Sequence, residues 1–259
     1  MFQNLDAYKL KIIAIIGMIL NHIVITWFPI IPAGLAPVLY AAGGLTFPIM
    51  AYFVTEGYRH TSNFKRYILR LLLFAFIAMP FHIMALSLPL GGGNIFYYTF
   101  FNILFTIVFS LLILKMYDTM KSRVLFWIIY IFIMVPIGML LEWQFIGVTM
   151  VLMFHIIKNE NARRIVPPIF AGVLNLAFAL LAGFSMQFTE YLAYVPDILA
   201  MNPDFIRIMP TFIIGCLLAS FLLYNYNGEQ GKRMKWLFYV IYPVHLAILA
   251  GVGLALGII

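Results

Sequence analysis

Charge is what this chain has least of. Asp, Glu, Lys and Arg together make up 10% of its 259 residues, against 64% hydrophobic residues. Soluble domains carry about 25% charged residues, so this scarcity excludes a soluble globular fold. Cysteine is nearly absent as well. Cys216 stands alone inside an apolar run, which excludes an intrachain disulfide and leaves a small apolar side chain. Metal-ligand spacing is missing: no Cys-x-x-Cys or His-x-x-x-His pair occurs, and no metal site is expected. No polar stretch is long enough for a separate soluble domain. No internal repeat shows in charge or hydropathy, which disfavours an inverted-repeat transporter.

Long apolar runs are what the chain does have. Runs of about 20 residues recur along its whole length, the signature of a multi-pass helical membrane protein. The spacing predicts an all-α transmembrane bundle of about nine spans, at 10–28, 38–58, 67–86, 97–115, 124–141, 144–157, 165–185, 206–224 and 236–256. The first run is too long for a signal peptide, lacks a small-x-small cleavage site, and reads as a retained span. The sixth is short, with Glu142 and Gln144 at its outer edge, and reads as tilted or half-inserted. One domain, 1–259, is expected. With nine spans, every one of the 16 basic residues except Arg207 falls in an inside segment. The positive-inside rule then places the N-terminus in the cytoplasm. The net charge of +7 is thus topological, and no nucleic-acid partner is expected.

His22 lies deep in the first run, beside Asn21 and eleven positions after Lys11. Eleven residues are close to three helical turns, so Lys11 and His22 share a face about 16 Å apart. An ionisable group inside a span is costly and is a functional candidate. A lone imidazole suits general acid–base work. The plain alternative is a helix–helix hydrogen bond. His245 is the other deep histidine, two positions after Tyr242-Pro243. His60 reads as exposed, His155 as interfacial, and His82 as lying near the outer end of the third span. Phe47-Pro48, Pro136 with Gly138, and Tyr242-Pro243 break their spans and free carbonyls to line a cavity.

A second signal lies at the inner mouth. Arg59, Arg66 and Arg70 group there with Lys11 and suit a phosphorylated ligand such as coenzyme A. Contact with anionic lipid and topology explain the same residues. Glu56 either pairs with a neighbouring cation such as Arg59 or gates the mouth. Asn102, Thr106 and Ser110 form one polar stripe on the fourth span, facing either a cavity or another helix. The loop after the seventh span carries Glu190, Asp197 and Asp204, an acidic outer vestibule or an ordinary solvated loop.

Taken together these residues resemble the TraX family, membrane proteins associated with pilin N-acetylation. The resemblance runs over nearly the whole chain. It rests on Leu10-Lys11-Ile12-Ile13-Ala14 leading through Met18 to Asn21-His22, and on Phe47-Pro48 followed by Glu56-Gly57. Tyr67 through Leu73 with Arg70 inside, Asn102 through Thr106, Gly147-Val148, Phe238-Tyr239 with Tyr242, and His245-Leu246 complete it. The family is similar in layout to membrane acyltransferases that use cytoplasmic acetyl-CoA and carry a basic residue eleven positions before a first-span histidine.

The resemblance implies a multi-pass protein of the bacterial plasma membrane. It implies acetyl transfer from acetyl-CoA to an amine, either a peptide N-terminus such as that of a pilin or a small amine. His22, Asn21 and His245 would be the catalytic set, with Lys11, Arg59, Arg66 and Arg70 on the coenzyme. Glu56, Asn102, Thr106 and Tyr242 would be cavity candidates. Two positions depart from the family pattern: Asn21 where Asp is usual before the histidine, and Gly44 where Arg is usual. A non-catalytic membrane protein, either a transporter of small molecules or lipid or an assembly factor for a pilus or secretion apparatus, stays open as a second reading.

Overall fold

The computed structural model describes residues 5–87, 101–187, 203–233 and 235–258. Among them, each of the nine expected segments is helical. We label the helices α1 (Ala7–Trp27), α2 (Ala36–His60), α3 (Phe64–His82), α4 (Ile103–Thr119), α5 (Arg123–Ile129), α6 (Val135–Gly138), α7 (Gln144–Ile156), α8 (Glu160–Gln187), α9 (Pro203–Ile208), α10 (Phe212–Tyr224) and α11 (Lys235–Ala255). Among the described residues, six stretches are long and apolar enough to cross a membrane: Ala7–Ile30, Ala36–His60, Phe64–Leu86, Glu160–Phe184, Pro203–Tyr224 and Trp236–Ala255. The fourth, fifth and sixth expected spans are shorter helices. The acidic vestibule falls largely outside the described residues, since Glu190 and Asp197 are not among them. Asp204 is, and it pairs with Arg207 at 2.7 Å.

Local chemistry sets the helix starts. The side chains of Asp6, Asn63, Asn102 and Ser122 each accept a backbone N–H of the first turn of α1, α3, α4 and α5. Such caps satisfy donors that the helix itself leaves unpaired. The breakers act unequally. α2 continues through Pro48, and α11 through Pro243. The fifth segment breaks instead, with a π-helical turn at Tyr130–Met134 before the short α6 that holds Pro136 and ends at Gly138.

Cross-helix bonds fix the direction of each segment. Ala7 N–H donates to the Glu229 carbonyl, Tyr58 Oη donates to Asp118, and Arg59 donates to the carbonyls of Phe154 and His155. Arg164 donates to the Tyr226 carbonyl. The start of α1, the end of α2, the ends of α4 and α7, the start of α8 and the end of α10 thus share one end of the bundle. Successive segments run in alternate directions, and the basic residues named for the inner mouth gather at that end.

The half-length α7 positions the site. Its 13 residues rise about 20 Å, against a hydrocarbon core of about 30 Å. The turn before α7 therefore ends inside the depth of the bundle. It is tied there by Phe101 N–H to the Leu140 carbonyl and by Glu142 N–H to the Phe101 carbonyl. Glu142, expected at an outer edge, is carried inward instead. The next two residues, Trp143 and Gln144, adopt left-handed backbone at φ 67° and 47°. Neither is glycine, so the turn is held in a costly conformation of the kind found at functional sites.

Helix α2 is the central element, packing against α1 on one side and α10 on the other. The α2–α10 contact is made backbone to backbone at Gly44 and Gly215. A Cβ on Gly44 would lie 2.8 Å from the Cys216 nitrogen, and one on Gly215 would lie 2.8 Å from the Gly44 Cα. No side chain fits at either position without moving a helix.

Candidate functional site

A cavity opens between α1, α2, α4 and α11, closed on one side by the turn before α7. The α1 face contributes Ala14, Ile15, Met18, Asn21 and His22, the stripe that a helix with Lys11 one turn below presents. The space open to the centre of a water molecule is about 80 Å³. One water needs about 10–15 Å³ by the same measure. The cavity thus has room for a small polar group on a short stem and not for anything of nucleotide size.

His22 and His245 meet at the cavity wall. His22 Nδ1 lies 2.7 Å from His245 Nε2, with the rings parallel to within 6° and their centroids 4.9 Å apart. The short N–N distance along the line of centres puts the rings side by side in one plane, so the contact is an in-line hydrogen bond. Its direction follows from the far end. His245 Nδ1 is 2.8 Å from the Ile241 carbonyl, which only accepts. Between neutral rings, His245 therefore carries its proton on Nδ1 and accepts at Nε2. His22 must donate from Nδ1, which leaves the His22 Nε2 lone pair open. Both rings are buried, which favours neutrality.

That lone pair faces Glu142, whose Oε1 is 4.0 Å away, beyond hydrogen-bond reach. The other carboxylate oxygen is occupied: Oε2 accepts from Ile103 N–H at 2.8 Å and from Tyr242 Oη at 3.2 Å. Glu142 thus sits at the N-terminus of α4, where the helix dipole favours an anion. His82 closes the group, its Nδ1 3.9 Å from Glu142 Oε2 and 3.5 Å from Tyr242 Oη. Buried Thr106 donates to the Glu142 carbonyl at 2.6 Å, and buried Asn102 donates to the Ala75 carbonyl at 2.8 Å. The polar stripe of α4 therefore glues helices and fixes the Glu142 turn. Trp143, Phe47 and Phe212 form an aromatic wall, at ring separations of 4.8 Å and 5.3 Å from Trp143.

The structure brings His22, His245 and Tyr242 together. Asn21 lines the cavity, but its amide donates to the Tyr40 carbonyl at 3.3 Å, and His245 takes the ring-orienting position. The side chain fits because Gly43 has no Cβ: one built there would lie 2.8 Å from the Asn21 Cβ. His82 and Glu142 were not expected in the site, because both fall at segment ends in the sequence.

The basic residues divide. The Lys11 ammonium lies 4.7 Å from the Phe53 ring and 5.4 Å from that of Phe238, a cavity-lining residue. Arg66 is exposed, and the buried Nε of half-buried Arg70 has no hydrogen-bond partner. Arg59 is committed to Glu56 at 3.4 Å and to the end of α7. Glu56 itself pairs with buried Arg163 at 2.7 Å, which also holds Glu160 at 2.7 Å and donates to Tyr52 Oη. These bonds assign Glu56 and Arg59 to a structural ion network rather than to a ligand mouth. Lys11 and the orphaned nitrogen of Arg70 fit an anionic ligand.

Fold and site together define a helical membrane protein with a buried histidine–carboxylate cavity. The chain belongs to the TraX family: a family model described as "TraX protein" matches residues 7–253. It is also 30% identical over 257 residues to the "Probable fimbrial assembly protein FimC, serogroup H1" of Dichelobacter nodosus, covering 96% of this chain and 97% of that protein. No solved structure matches.

Proposed function

We propose that this protein is a membrane acetyltransferase that moves an acetyl group from acetyl-CoA to an amine. The observation that carries this reading is the open Nε2 of His22, held toward the cavity by the chain His22–His245–Ile241 carbonyl. The arrangement follows the logic of a catalytic base oriented by a second group. Acetyl-CoA supplies the acetyl group as a thioester. The basic end of the bundle faces the cytoplasm by the positive-inside rule. Lys11 and Arg70 are the residues suited to coenzyme phosphates there. Arg66 adds a mobile surface charge, and Arg59 is withdrawn from the role.

His22 Nε2 takes a proton from the acceptor amine as its nitrogen forms the N–C bond. The C–S bond breaks, and the leaving sulfur recovers that proton from His22. The amine becomes an amide, the coenzyme leaves as a thiol, and the base is restored. The name of the Dichelobacter nodosus relative points to a fimbrial acceptor, a pilin-like peptide N-terminus in the bacterial plasma membrane.

The same name favours a second reading, a non-catalytic factor in fimbrial assembly. Gly44 supports it, since the backbone contact there leaves no room for the arginine usual in the family. Purified protein in lipid discs, mixed with acetyl-CoA and an amine-bearing peptide, separates the two. The enzyme reading expects coenzyme A to raise the thermal midpoint and free thiol to accumulate with the acetylated peptide. Absence of both leaves the assembly reading.

A further inference from the structure

Two acceptors face each other across the cavity with nothing bonded between them. His22 Nε2 is one, by the proton order derived above. Glu142 Oε1 is the other, because its partner oxygen already receives Ile103 N–H and Tyr242 Oη. They stand 4.0 Å apart. A donor atom at hydrogen-bond distance from both, about 2.8 Å, would subtend an angle of about 90°. Two N–H bonds of one primary ammonium diverge by a similar angle. An alcohol carries a single proton and can satisfy only one of the two. A pair of fixed acceptors at this spacing discriminates between a ligand with two N–H donors and one with a single O–H.

The walls agree with a cation. Among the described residues, Glu142 is the one carboxylate lining this cavity. Trp143, Phe47 and Phe212 present aromatic faces, which attract an ammonium electrostatically. The left-handed pair Trp143 and Gln144 follows directly on the carboxylate and turns it inward. The remaining lining, including Met18, Ile103 and Ile107, is apolar and suits an alkyl stem.

We propose that Glu142 binds the acceptor, holding a primary ammonium on an apolar stem between its Oε1 and His22 Nε2. The proposal rests on the acetyl-transfer reading for its biological meaning, and its geometry stands without it. Glu142 selects an amine over a hydroxyl acceptor, takes the extra proton of the ammonium and later releases it to solvent, and so delivers a neutral amine to the base. Tyr242 and the Ile103 N–H position the carboxylate by occupying Oε2.

The test uses the full chain in lipid discs with propylammonium and propan-1-ol as probes of equal size. Propylammonium is expected to raise the thermal midpoint in a saturable way, and the alcohol is not. Glu142→Gln keeps an oxygen for the α4 cap and removes the charge. It should weaken the ammonium response at least tenfold, while Asp118→Asn leaves it unchanged. If Glu142→Gln does not fold, Glu142→Asp carries the test, since it keeps the charge and widens the gap. An equal response to the alcohol, or an undiminished ammonium response in whichever variant folds, overturns the proposal. If the ammonium response behaves as expected and no acetylated product forms, the acetyl-transfer reading falls and the binding site stands.

Discussion

Two polar clusters lie at different depths of this bundle, one at its basic end and one inside it, and they differ in what they face. At the basic end, Glu56, Arg163, Glu160 and Arg59 lock one another at 2.7–3.4 Å. Beside them Asp118 accepts from Tyr58 at 2.7 Å and from His155 at 2.8 Å. Every carboxylate there has its cations or donors, and the cluster staples α2, α4, α7 and α8. In the cavity, His22, His245, His82, Tyr242 and Glu142 are linked to one another, and His22 Nε2 and Glu142 Oε1 face each other 4.0 Å apart. Charge density marks the first cluster, and a cavity lined by two acceptor atoms marks the second. The second is the one the proposed acetyl transfer uses.

The contrast breaks or sharpens under mutation. The largest effect is expected for His22→Ala, which should lower acetyl-transfer turnover by about 10²–10⁴-fold, the usual contribution of a general base. Its thermal midpoint should stay near that of the parent. His245 acts through His22, so His245→Ala should also cost turnover. His245→Gln can accept from His22 and donate to the Ile241 carbonyl, and should recover most of it. A structural role for His245 would show no such rescue.

Arg163→Ala should do the reverse. Its side chain is 4% exposed, and its loss leaves Glu56 with only the longer Arg59 contact and Glu160 with that of Arg164, at a cost of about 3 kcal/mol in stability. Denaturant or thermal unfolding in a mild detergent measures it. A variant that lost turnover at full stability would move the chemistry to the basic end. Next in size, Gly215→Ala should destabilise by about 1–3 kcal/mol through overpacking against α2. The same experiment on Gly251, which faces open space, should show little change.

The smallest effect concerns pH. Burial by itself would raise the Asp118 carboxyl, but the hydrogen bonds from His155 and Tyr58 and the nearby charges outweigh it, and the net shift is downward. A carboxyl lowered on folding contributes stability that is present above its unfolded value and lost as pH falls through the folded one. Acid below about pH 4 should therefore loosen this end, by a small amount because the side chain is 40% exposed. Asp118→Asn should flatten that part of the pH profile, and an unchanged slope would remove Asp118 from it.

Much of this could be read from residues in order. The cost of an imidazole in a span singled out His22 and His245, and the periodicity of α1 aligned Lys11 with the cavity stripe. The alternation of basic segments foretold the alternation of helices. Glu142 and His82 escaped because they sit at segment ends, where a polar residue is ordinary. Only the shortness of the sixth span hinted that its leading turn lies inside the bundle. Glu56 and Arg59 were legible as a local pair, but the bond from Arg163 to Glu56 joins residues 107 positions apart, beyond any local pattern. Gly44 shows the same limit: its meaning lies in Gly215 on another helix.

The most direct test of the central claim is thiol release from acetyl-CoA in the presence of an amine-bearing peptide, measured for the parent protein and for His22→Ala in the same lipid discs. The cavity account predicts steady release with stoichiometric N-acetyl peptide for the parent, and background rates for a folded His22→Ala. Equal rates for the two proteins, or no release by a parent protein that binds coenzyme A, would contradict it.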